Sequence, residues 1–142
     1  MDKLQKTESE QLNFFALCYM KFTEASQRTG EVRHYYEIAG KSVCLAFAGE
    51  RMVSSITPAL EDLRIQKTRQ PELTICIWDT ESTSVEIPDA PCDPYSFTHR
   101  GDIKGFNSKR IKTAYQWSEN SLSVLDLDTP TAVFWIKSYK KL

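Results

Sequence analysis

The chain alternates between segments with helical and with strand periodicity. Residues 9–25 carry Leu12, Phe15, Tyr19 and Phe22 at helical spacing, and Phe14, Leu17 and Cys18 widen that apolar stripe. Gly30 follows as the residue that would end the helix. Residues 35–38 and 43–47 then read as two strands of a hairpin about Gly40-Lys41. Met52, Val53 and Ile56 suit a helical turn. Thr57-Pro58 is a cap followed by a first-turn proline, which predicts a short helix over residues 57–63. The alternation in residues 63–67 predicts an edge strand. Residues 73–78 are apolar at nearly every position, as in a strand covered on both faces.

The C-terminal third has strand signals at residues 102–107, 110–117, 121–126 and 131–136, separated by polar turns in the manner of an antiparallel meander. In the second of these, Ile111, Thr113, Tyr115 and Trp117 share one face, the expected core side. Residues 80–101 differ in kind: Pro88, Pro91 and Pro94 among serines, threonines and carboxylates predict a long surface loop. The expected architecture is α+β, a mainly antiparallel sheet of about six or seven strands with a short packed helix and an N-terminal helix. Residues 1–30 form the amphipathic helical segment, and residues 31–142 form one α+β domain.

Composition narrows the function classes. The 142 residues include 18 basic and 19 acidic side chains, for a formal charge of -1. That balance gives no global attraction to nucleic acid or to an anionic membrane. The N-terminus has no secretory-signal pattern, and the apolar run at residues 14–20 is too short to span a bilayer, so a cytoplasmic location is expected. Cys18, Cys44, Cys76 and Cys92 form no Cys-x-x-Cys pair, and the carboxylates of residues 80–101 lack calcium-loop spacing. No metal site and no cofactor are expected.

Three motifs raise specific chemistry. Gly40-Lys41-Ser42 resembles the end of a P-loop, but Tyr35 stands where the first glycine belongs and a strand follows in place of a helix. Lys104, Lys109, Arg110 and Lys112 lie near one hairpin with Phe106, a pattern that can hold phosphates and stack bases; a solvated sheet face is the plainer reading. His34, His99 and Asp79 are the candidate acids and bases of a small autonomous enzyme, but no pair has diagnostic spacing, and no residue is assigned a catalytic role. On the N-terminal helix, Leu12, Phe15, Tyr19 and Phe22 form a candidate contact surface for a partner or a second copy of the chain, with the 80–101 loop as a further contact surface.

Several blocks together carry a family resemblance: Tyr36-Glu-Ile-Ala-Gly40, Leu45-Ala-Phe-Ala-Gly49, Thr57-Pro-Ala-Leu60, Leu73-Thr-Ile-Cys-Ile-Trp-Asp79, Gly101-Asp-Ile-Lys-Gly-Phe-Asn107, Ser121-Leu-Ser-Val-Leu-Asp126 and Ala132-Val-Phe-Trp-Ile136. Over about residues 35–137 the chain resembles the region that precedes the kinase half of bacterial HPr-kinase-like proteins. The resemblance implies a companion P-loop domain that phosphorylates serine with ATP and magnesium, a domain this sequence does not contain. No catalytic residue transfers to it. The expected function is therefore a non-catalytic module that positions a protein or peptide substrate, or a partner such as a P-loop kinase domain. Phosphate or nucleic-acid binding at residues 104–112 and a small enzyme are the alternatives.

Overall fold

A computed structural model describes residues 6–88, 106–116 and 118–141. The N-terminal helix α1 spans Glu8–Thr29 and opens on a reciprocal cap: the Thr7 side chain accepts from the Glu10 amide, and the Glu10 carboxylate accepts from the Thr7 amide. Two of the free N–H groups at a helix start are satisfied this way. The helix closes at Gly30, whose φ of 87° lies in the region that favours glycine.

Six strands follow: β1 (Glu31–Ile38), β2 (Lys41–Ala48), β3 (Leu73–Asp79), β4 (Ile111–Gln116), β5 (Ser121–Asp126) and β6 (Thr131–Ile136). They form one sheet in the order β1-β2-β3-β6-β5-β4. The fold is α+β. Pairs β1/β2, β4/β5 and β5/β6 are antiparallel, whereas β2/β3 and β3/β6 are parallel. Short-range turns account for the antiparallel pairs. Ala39 and Gly40 both have positive φ (52° and 80°), and Ile38 pairs with Lys41, so a two-residue turn closes the first hairpin. Lys41 and Ser42 open β2: Glu72 accepts from the Ser42 amide at 2.9 Å and lies 3.7 Å from the Lys41 amine. The Gly-Lys-Ser string is a hairpin, with no helix to receive a phosphate.

Strand alternation divides the core into two layers. On one face α1 lies over Ala46, Ala48, Cys76, Trp78, Val124, Val133 and Trp135. On the other, Tyr36, Leu45, Phe47, Ile77 and Ile136 pack beneath α2 (Val53–Ile56) and a 3-10 helix (Thr57–Leu63). β3 supplies both layers, which explains its continuous apolar run. Both core indole N–H groups are satisfied by the turn after β3: Trp78 donates to Val85 C=O at 3.0 Å and Trp135 to Thr80 Oγ1 at 2.8 Å. Thr80 begins α3 (Thr80–Thr83), so the segment expected as loop from residue 80 starts with a helical turn. Residues 89–101 of that loop and residues 102–105 of the expected strand at 102–107 lie outside the described residues.

Three local expectations are corrected. Residues 63–67 form no strand; a single antiparallel bridge joins Arg64 to Tyr36, after Leu63 has ended the 3-10 helix. Thr57 does not cap. Because α2 runs straight into the 3-10 helix, no helix start is free there, and the Thr57 hydroxyl donates back to Val53 C=O at 2.7 Å. The buried face of α1 is Gln11, Phe14, Cys18, Phe22 and Ala25, rotated from the expected stripe. The small side chains of Cys18 and Ala25 let the helix sit close against Ala46, Ala48 and Cys76. Among the described residues no helix is long and apolar enough to cross a membrane.

Candidate functional site

The rotation of α1 decides which of its aromatic side chains remain available. Phe22, expected as a contact residue, is only 2% exposed and belongs to the core. Leu12 and Phe15 are half-buried against that core. Tyr19 is 41% exposed, and its neighbours Leu17 and Met20, absent from the expected contact set, are 39% and 63% exposed. Phe15 and Tyr19 stack with ring centroids 6.4 Å apart, giving an ordered aromatic flank. Leu17, Tyr19 and Met20 border a shallow concavity with Lys21, Thr23, Glu24 and Gln27.

This flank faces β1. The phenol of Tyr19 is pushed up mainly by burial, and the charges of Arg33 and Glu31 also act on it. Arg33 donates from Nε to Glu31 at 2.6 Å, a hydrogen bond that raises the guanidinium further. Beyond Arg33 lies a second concavity of about 480 Å³, lined by Arg33, Tyr35, Arg64, Ile65, Gln66 and Lys67. An aromatic helix flank and a basic sheet edge thus lie on either side of Arg33.

The basic hairpin is arranged differently from the expected nucleic-acid surface. Phe106 is 3% exposed and meets Phe14 edge-on at 5.3 Å, so it cannot stack on a base. Arg110 is committed to Asp126 through two donors, at 2.8 and 3.1 Å, and lies 3.4 Å from Asp128. Lys109 and Lys112 are exposed, and Lys104 lies outside the described residues. The Asp126 carboxyl is buried and held below its ordinary value, first by Arg110 and then by Thr129 and the Asp128 amide. Its contribution to stability is complete above the unfolded aspartate pKa of about 3.9 and is lost as pH falls through the depressed folded value. Asp126→Asn is expected to flatten the fall in urea midpoint between pH 6 and pH 3; an unchanged slope would show that this network does not carry acid sensitivity.

The candidate acid–base groups are occupied by structure. Asp79 is fully buried and caps α3, accepting from the Ser82 amide at 3.3 Å, from the Ser82 hydroxyl, and from the Tyr139 amide at 2.9 Å. One carboxylate therefore ties the end of β3 to the C-terminal turn. His34 Nδ1 and Tyr36 Oη share a 3.3 Å hydrogen bond, and burial lowers the imidazole pKa. His99 lies outside the described residues. Cys18, Cys44 and Cys76 are buried free thiols; burial pushes Cys18 and Cys76 up to about 12, far from thiolate reactivity. Among the described residues no group of three or more His, Cys, Asp or Glu side chains could hold a metal ion. Compared with known proteins, the chain matches no family model, no curated protein and no solved structure.

Proposed function

We propose that this chain is a non-catalytic recognition module of the cytoplasm that binds a protein or peptide partner, in the manner expected of the region preceding the kinase half of HPr-kinase-like proteins. The observation that carries this reading is the exposure of three large apolar side chains, Leu17, Tyr19 and Met20, which border one concavity on the outer side of a helix whose inner face is anchored in the core. Exposed apolar groups on a rigid element suit an interface, because docking removes them from water with little ordering cost. The occupation of Asp79 by capping supports the same reading over an autonomous enzyme. The partner is a P-loop kinase domain or its peptide substrate; a second copy of this chain is the variant of the reading that uses the same surface.

Replacing Leu17, Tyr19 and Met20 together by serine is expected to lower the thermal midpoint by only a few degrees, because surface substitutions typically cost within about 0.5 kcal/mol each, about 1.5 kcal/mol for the three. Affinity for a P-loop kinase domain of the resembled family, or self-association measured by sedimentation, should fall at least tenfold. Equal association by wild type and variant would remove α1 as the contact surface.

A further inference from the structure

We propose that the concavity at the outer edge of β1 binds the acidic side chains of an extended peptide. This rests on the recognition reading above but uses a surface distinct from the exposed face of α1. The edge already accepts an added chain at one point: Ile65 donates its amide to Tyr35 C=O at 2.9 Å, and Arg64 bridges Tyr36. Beyond that point residues 65–67 form no further bridge to β1, leaving a wedge between the two chains. The two-residue alternation that turns Tyr35 C=O outward also turns the backbone of Arg33 outward, toward this wedge. An incoming strand finds peptide groups there to pair with, as in recognition by strand addition.

Charge selects the occupant. Arg33, Arg64 and Lys67 line the wedge, and no carboxylate is among its lining residues. Glu31 neutralises much of Arg33 at 2.6 Å, whereas Glu61 reaches Arg64 only at 4.0 Å. Lys67 has no hydrogen-bond or ion-pair partner among the described residues, and both Arg64 and Lys67 are exposed. Carboxylates of an extended peptide lying in the wedge would reach Arg64 and Lys67, which both line it, while half-buried Ile65 and buried Tyr35 give the intervening atoms an apolar floor.

The test is fluorescence anisotropy with a fluorescein-labelled, end-blocked hexapeptide alternating glutamate and threonine. Wild type should bind it, more weakly as salt rises, and should bind the lysine counterpart at least tenfold more weakly. Arg64→Glu with Lys67→Glu should reduce affinity at least tenfold, the neutral pair Arg64→Gln with Lys67→Gln less, and N-methylation of alternate peptide amides should abolish binding. No binding by wild type, or binding indifferent to charge reversal in a variant with unchanged circular dichroism, overturns the proposal. Undiminished binding of the N-methylated peptide together with equal displacement by inorganic phosphate overturns strand addition, leaving a simple anion patch. The Leu17, Tyr19 and Met20 serine variant should bind the glutamate peptide as wild type does. If the peptide fails while that variant still loses its partner, only the wedge assignment falls.

Discussion

Trp78→Ala is expected to destabilise the protein by about 4 kcal/mol, in the range for truncating a fully buried aromatic side chain. Trp78 is completely buried in β3, between β2 and β6, beneath α1 and beside Trp135 in the register. Its removal empties the layer that joins helix to sheet and leaves the Val85 carbonyl without the indole donor, although Thr80 still donates there at 2.8 Å. Neighbouring β-strands are tied on both sides, so collapse into the space is restricted and the cost belongs in the upper part of the range. Trp78→Phe keeps most of the ring and loses the N–H; it should cost about 1 to 2 kcal/mol. Urea unfolding followed by circular dichroism checks both, and a loss under about 1.5 kcal/mol for the alanine variant would mean that α1 does not pack on β3 as described.

Asp79→Ala is expected to cost about 3 kcal/mol, combining a lost helix cap with partly buried backbone and hydroxyl donors left unpaired. The amides of Ser82 and Tyr139 both depend on this carboxylate. Asp79→Asn retains an acceptor for a cap and should recover part of the loss. The same pair of variants bears on function, because a capping carboxylate affects stability in proportion to its bonds, whereas a catalytic one would leave stability unchanged or improved on removal. An alanine variant as stable as wild type would contradict the structural role and revive Asp79 as a site residue.

How much of this was legible in the sequence depended on how locally each feature is determined. The β1/β2 hairpin and the β5/β6 pair follow from turn residues and alternation, and the unbroken apolar run of β3 correctly implies burial on both faces. The parallel pairing of β2, β3 and β6 does not follow, because nothing in the local pattern of β3 says that β6 will lie beside it. Of the expected α1 stripe, Phe14, Cys18 and Phe22 are buried, whereas Leu12, Phe15 and Tyr19 are not, for a packing reason: close approach of helix and sheet favours the face that also carries Ala25. Thr57-Pro58 has the letters of a helix start, yet α2 already occupies the position before it. The basic hairpin lost its meaning through a partner 16 residues away, Asp126, which spacing around Arg110 could not reveal. The wedge has no signature in the local sequence, since Arg33 meets Arg64 and Lys67 only through the Tyr36–Arg64 bridge and the Ile65–Tyr35 hydrogen bond.

The most direct test of the recognition reading is to titrate the ¹⁵N-labelled chain with a separately produced P-loop kinase domain of the resembled family and map the amide shifts. Saturable changes concentrated at residues 15–21 of α1 and 31–35 of β1 are the predicted result. Absence of any change at concentrations near a millimolar, or saturable changes confined to surfaces away from both segments, would contradict it.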